Sequence, residues 1–191
     1  LDAGSSLYPI AEIIAGRAKD APGRTHFTIM THNYKAFEVL AKVPRDANLN
    51  IVLAGGRYDQ DLNALFGSQT VNSYADFFPR IVLLGMSAFK TEIGLFCHGN
   101  TEELAVKRAI FEKQARDRII VADYTKIGQV DGFRYGESSG LRTGVNRCIL
   151  VTDQPPGKAG ATVKDKFNQQ IHTLRAKEVE VNLLPPFEDE E

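Results

Sequence analysis

Apolar residues along the chain follow two rhythms. Runs of strand length that are apolar on successive positions recur at residues 27–31, 50–54, 80–84, 118–122, 148–152 and 179–183. Between them lie stretches with apolar residues three and four apart, at 7–17, 34–42, 101 to about 115, and around 163–174. In the second of these Ala36, Phe37, Leu40 and Ala41 share a side; in the third, Thr101 is placed to cap a helix with Glu102 and Glu103 in its first turn and Leu104, Ala105, Ile110 and Phe111 inward. Strands apolar on both faces and separated by helices are what a covered parallel sheet requires. The pattern predicts an α/β fold, a layered, Rossmann-like, mostly parallel sheet flanked by helices. Residues 1–3 read as the end of one more strand, turning tightly into the first helix.

Small and polar residues fall where these strands end. They are Gly4-Ser5-Ser6, Thr31-His32-Asn33, Gly55-Gly56-Arg57, Gly85-Met86-Ser87 and Asp123-Tyr124-Thr125-Lys126. One such cluster is ordinary, because turns favour these residues. Five in register with five strands predict a shared polar crevice at the carboxyl ends, where open α/β sheets bind ligands. At Gly4–Ser6 the backbone donors and the dipole of the following helix favour an anion such as phosphate, and the two hydroxyls can add hydrogen bonds. The plainer alternative is that Ser5 or Ser6 only caps the helix. Glu103 and Lys107, four apart on one helix face, read from spacing alone as an exposed ion pair stabilising by about 0.3–0.5 kcal/mol.

Composition narrows the classes. The 191 residues suffice for one domain, expected over 1–184, with an acidic tail at 185–191 that ends in Glu188-Asp189-Glu190-Glu191. With 23 Lys plus Arg against 24 Asp plus Glu, this segment has no basic surplus with which to hold nucleic acid. Cys97 and Cys148 lack zinc-like spacing, so no metal or cofactor is expected, and a reduced, cytoplasmic setting fits. No apolar run approaches the roughly 20 residues of a membrane helix. The start without Met, in what reads as a strand end, predicts material upstream. The segment Gly136-Glu137-Ser138-Ser139-Gly140 fits a nucleophile-elbow pattern but has no helix start after it, and reads as a loop. Neighbours Cys97 and His98 point to opposite faces of a strand and do not form a catalytic pair.

The ordered series LDAGSS, IMTHN, IVLAGGRY with NALFG, IVLLGMSAF, GNTEELAVKRAI, IIVADYTKIG and CILVTD resembles the C-terminal effector-binding domain of the DeoR family of bacterial transcriptional regulators. The resemblance implies a fold similar to ribose-5-phosphate isomerase, glucosamine-6-phosphate deaminase and the CoA transferases, used to sense a phosphorylated sugar or similar anionic metabolite. It implies a helix-turn-helix domain upstream as the DNA reader, and a homo-oligomer, dimer or tetramer. The family's Asp-x-Gly-Ser/Thr-Thr loop falls on Asp2, Gly4, Ser5 and Ser6, and its Thr-Asn-Ser turn on Thr31 and Asn33 with His32 inserted. Its Gly-Gly-Arg falls on Gly55, Gly56 and Arg57, its helical Glu and Lys on Glu103 and Lys107, and its later Lys on Lys126. By that carry-over Arg57, Lys107 and Lys126 offset phosphate charge while Asp2, Asn33 and Glu103 read hydroxyls; Arg57 reads equally as a surface residue or subunit contact. Where the family has Gly-Ala-Asp-Gly, this chain has Gly85-Met86-Ser87-Ala88, so a carboxylate suited to proton transfer is missing. That argues against the competing reading, a sugar-phosphate isomerase or deaminase, and alters the expected pocket floor at Gly85 and Ser87.

Overall fold

The structure is a computed structural model that describes residues 1–20 and 26–186. The acidic run at 188–191 lies outside the described residues. Two compact units are present, Leu1–Phe77 and Phe78–Glu191.

In the first unit an extended segment, a 3-10 turn at Ser5–Leu7 and helix α1 (Tyr8–Asp20) precede β1 (Phe27–Thr31), α2 (Tyr34–Leu40), β2 (Leu49–Leu53), β3 (Arg57–Asp59), β4 (Ala64–Phe66) and α3 (Ser68–Ala75). Strands β1 and β2 run parallel, Phe27 opposite Leu49 and Thr31 opposite Leu53. The expected strand end at 1–3 is instead an extended lead-in: the Leu1 nitrogen donates to the Met30 carbonyl at 2.8 Å, and Gly4 then turns the chain at φ 140°. Helix α2 starts where it does because Asn33 Oδ1 accepts the Ala36 N–H at 3.0 Å. Ala11, Ala15, Ala36 and Leu40 form the buried seam between α1 and α2, and Ile29 and Ile51 of the two strands pack against it. Three alanines there let the helices approach closely. The antiparallel β3–β4 hairpin was not anticipated, since three-residue strands are too short to show a period.

The second unit contains β5 (Ile81–Gly85), β6 (Ala88–Lys90), β7 (Gly94–Cys97), α4 (Thr101–Phe111), β8 (Ala115–Val121), β9 (Phe133–Glu137), β10 (Val145–Asp153), α5 (Ala161–Ala176) and β11 (Glu180–Leu184), with 3-10 turns at Tyr124–Lys126 and Ser138–Gly140. Its main sheet has the order β11-β10-β8-β5, all parallel, with Gly85, Val121, Val151 and Asn182 in one row. The mostly parallel α/β architecture expected from the apolar rhythm is therefore present. A second, antiparallel sheet of β6, β7 and β9 was not anticipated. Helix α4 begins at Thr101, but the cap is Asn100, whose Oδ1 accepts the N–H groups of Glu102 and Glu103 at 3.0 and 2.9 Å. It ends at Phe111 rather than near Ala115, because Ala115 already opens β8. Met86 is buried beside a small apolar void with Phe89, Leu95, Ile120 and Leu174, so it belongs to the core and forms no crevice floor. Among the described residues no helix is long and apolar enough to cross a membrane.

Candidate functional site

In the first unit the predicted residues gather at the carboxyl edge of β1 and β2. The Ala54 N–H donates to the Thr31 carbonyl at 2.8 Å, and the Asn33 N–H donates to Thr31 Oγ1 at 3.1 Å, so the turns after the two strands are tied to each other. Asp2 is fully buried beside them. Its Oδ1 accepts the Ala3 N–H at 2.8 Å and lies 3.6 Å from Nε2 of His32, whose Nδ1 is 2.9 Å from the Tyr74 hydroxyl. Burial pushes the Tyr74 hydroxyl well above its ordinary range, and the Asp2 charge adds to the effect. Asp2 thus braces the turn from beneath. Gly4 and Ser5 are exposed, and a side chain at Gly4 would meet nothing within 4 Å. Gly4 occupies the N-cap position of the 3-10 turn Ser5–Leu7 that leads into α1, and makes no side-chain cap there.

Gly55 and Gly56 have a packing role. The Gly55 carbonyl accepts Thr70 Oγ1 at 2.6 Å, and at Gly56 (φ 133°) a Cβ would lie 2.1 Å from that hydroxyl and 2.6 Å from the Phe66 carbonyl. Only glycine lets the chain pass the head of α3 so closely. Arg57, next in line, is exposed at the start of β3.

In the second unit Gly85, Glu103 and Lys107 meet. Lys107 is 4% exposed; its ammonium donates to the Gly85 carbonyl at 3.1 Å, lies 3.9 Å from Glu103 Oε1 and sits 5.4 Å from the centre of the Tyr135 ring. The Tyr135 hydroxyl donates to the same carbonyl at 2.9 Å. Glu103 also reaches back to the Gly99 N–H at 2.7 Å, fastening the start of α4. The ion pair read as exposed is thus enclosed, because α4 turns this face toward β5. Ser87 donates to the Phe96 carbonyl at 3.0 Å, and Lys126 pairs with Asp123 at 3.0 Å on the partly exposed turn after β8.

Several residues escaped the sequence reading. Tyr74 and Tyr135 have no local pattern that announces them, and for His32 the sequence shows a place in a strand-end cluster but no role. Lys35, exposed on the first turn of α2, holds its ammonium 4.3 Å over the ring of Tyr8 at the head of α1, a cation beside the Gly4–Ser6 turn. Arg118, fully buried, donates to the carbonyls of Phe111, Gly140, Leu141 and Thr143, and its guanidinium lies 4.3 Å from the centre of the Phe111 ring. A cavity of about 520 Å³ opens between α4 and β9, lined among others by Arg108, Arg134, Tyr135 and Glu137; none of the predicted site residues lines it. The Gly136–Gly140 segment passes from β9 into a 3-10 turn rather than a helix, with the Ser138 hydroxyl accepting from Lys177 at 2.8 Å. Cys97 is buried while His98 is exposed and paired with Asp131 at 3.0 Å, so the two side chains diverge as a strand demands.

Residues 1–153 match the family described as the DeoR C terminal sensor domain. Over 148 residues the chain is 25% identical to the HTH-type transcriptional repressor GlcR of Bacillus subtilis (strain 168), an alignment covering 75% of this chain and 51% of that protein. The chain therefore spans about half the length of that relative. The matched stretch contains every strand-end turn described above, and the family is one of regulatory sensors. The chain belongs to the DeoR C-terminal sensor-domain family.

Proposed function

We propose that this chain is the effector-sensing part of a transcriptional regulator, and that the effector is a phosphorylated sugar or a similar anionic metabolite. The observation that carries the reading is the Gly4–Ser6 turn: it is solvent-facing, has open space over Gly4, precedes α1, and lies beside the linked turns after β1 and β2. Backbone donors at such a position favour phosphate. Lys35 supplies positive charge near by, and Ser5, Ser6, Asn33 and Arg57 are proposed as further contacts. In the second unit, taken by itself, Lys126 is proposed as a polar contact at the partly exposed turn after β8, whereas Gly85, Ser87, Glu103 and Lys107 are proposed to hold the end of β5 in shape.

The name of the GlcR relative supports a DNA-binding part elsewhere in the protein, and operator symmetry favours a homo-oligomer. The effector then acts by binding one arrangement of subunits more tightly than another. A thermal-shift screen of phosphorylated sugars followed by calorimetric titration tests the reading. The Ser5→Asp variant, which sets a like charge at the exposed turn, is expected to weaken binding at least roughly tenfold with little change in melting temperature. Unchanged affinity in this variant would overturn the phosphate seat.

A further inference from the structure

Two tyrosines stand directly after two of the proposed contact residues, Tyr34 after Asn33 and Tyr58 after Arg57. Their rings meet edge to face, with centroids 5.1 Å apart and planes at 63°. Tyr58 is 42% exposed and Tyr34 is half-buried. An exposed aromatic residue on a short hairpin is ordinarily free to move, but this one is fixed at several points. The Tyr58 hydroxyl donates to Asn63 Oδ1 at 2.9 Å, and the Tyr34 N–H donates to the Asn63 carbonyl at 2.9 Å. Asn63 adopts a left-handed conformation, φ 49°, and its side-chain nitrogen donates to the Gln60 carbonyl at 3.2 Å. Asp59 Oδ1 accepts the N–H groups of Asp61 and Leu62 at 3.1 and 3.0 Å. The turn between β3 and β4 is thereby ordered around one asparagine that touches both tyrosines, which fixes an exposed ring at the same time as it leads the chain into the buried Ala64 and Phe66 of β4.

We infer that Tyr34 and Tyr58 form a platform on which the ring of a sugar phosphate stacks, so that they select the sugar while the Gly4–Ser6 turn holds the phosphate. This rests on the phosphate seat proposed above. The apolar C–H face of a pyranose or furanose matches the negative face of an aromatic ring, and a preorganised ring loses little freedom on binding. Lys35, the neighbour of Tyr34, reaches the ring of Tyr8 two residues after the Gly4–Ser6 turn, at 4.3 Å, which places the pair on the side of the phosphate seat and makes a small ring attached to that phosphate the occupant. A second protein chain docking on the same tyrosines is the alternative that the experiment separates.

The test measures affinities of inorganic phosphate and of glucose 6-phosphate, fructose 1-phosphate and ribose 5-phosphate for the wild-type chain and the Tyr34→Ala, Tyr58→Ala, Tyr58→Phe and Ser5→Asp variants, with light scattering for mass. At least one sugar phosphate is expected to bind tenfold or more tighter than phosphate. Both alanine variants lose most of that advantage while keeping their affinity for phosphate, and Tyr58→Phe retains it. A wild-type chain that binds sugar phosphates no tighter than phosphate, or alanine variants that keep the advantage, overturns the platform and leaves the phosphate seat standing. A change of mass in Tyr58→Ala with the advantage intact assigns the pair to a subunit contact and overturns it too. If Ser5→Asp changes no affinity, or if the wild type binds neither phosphate nor any sugar phosphate, the phosphate seat fails as well.

Discussion

The two units treat the ends of their parallel strands differently. In the second, buried cations are engaged by the chain itself: Lys107 by the Gly85 carbonyl with Glu103 alongside, and Arg118, whose Nε alone has no partner, by four carbonyls from the end of α4 and the loop after β9. In the first, the polar interior is closed beneath the surface by Asp2, His32 and Tyr74, while the turn above it is open and built of a glycine and two serines. A buried cation held by carbonyls is turned away from a ligand, and removing it strands groups that it satisfied. An exposed turn with open space over Gly4 leaves a ligand room to approach. The difference teaches that positive charge in a sensor fold is no guide to the ligand unless its existing partners are counted first.

Substitutions can break this contrast. The largest effect is expected at Arg118→Met, which keeps a long apolar stem but takes the guanidinium from four carbonyls, of which Gly140 keeps the Thr143 N–H; a loss of roughly 3 kcal/mol or more, read from urea unfolding, is expected. Melting indistinguishable from wild type would mean that water replaces the guanidinium and that the clamp is incidental. Lys107→Ala comes next, with a loss of roughly 1–3 kcal/mol because the Gly85 carbonyl keeps the Tyr135 hydroxyl as one donor. Ser5→Asp, in contrast, should stay within about 0.5 kcal/mol of wild type while its ligand affinity falls. If Lys107→Ala loses affinity without losing stability, the two units are alike after all.

The remaining effect concerns acid. The hydrogen bond from Arg147, helped by Arg116, draws the Asp117 carboxyl down to about 2 against the upward push of its burial. A carboxyl held below its unfolded value of about 4 adds stability at neutral pH that is lost as pH falls from about 4 toward about 2. The urea midpoints of wild type and Asp117→Asn are therefore expected to differ at neutral pH and to converge in acid. A constant gap would show that Asp117 acts by shape rather than by charge.

Much of the architecture was readable in the chain. The strand at 27–31 appears with its expected bounds, and those at 80–84 and 148–152 appear within one to three residues of theirs, the last with Cys148, Ile149 and Leu150 buried in succession as a covered strand requires. What escaped was short or long-range. The strands β3, β4 and β6 have three residues each, too few for a period to emerge. Residues such as His32, Tyr135 and Arg118 acquire their roles from partners far along the chain, at separations of 42, 50 and 22 residues for Tyr74, Gly85 and Gly140. At the candidate site, the glycines and hydroxyls of the turns could be named from sequence, but their division into exposed and enclosed could not. Spacing placed Glu103 and Lys107 on one helix face without revealing that the face points inward.

Asp2, His32 and Tyr74 stand in series within the first unit, all three buried, and Tyr74 lies in the last turn of α3. The second of the two junctions is a hydrogen bond at 2.9 Å, while at the first the imidazole Nε2 stops 3.6 Å short of the carboxylate. A small inward shift of Asp2, the residue next to Ala3, would close that gap to hydrogen-bond length, so the strength of the series is set by the position of the chain's first turn.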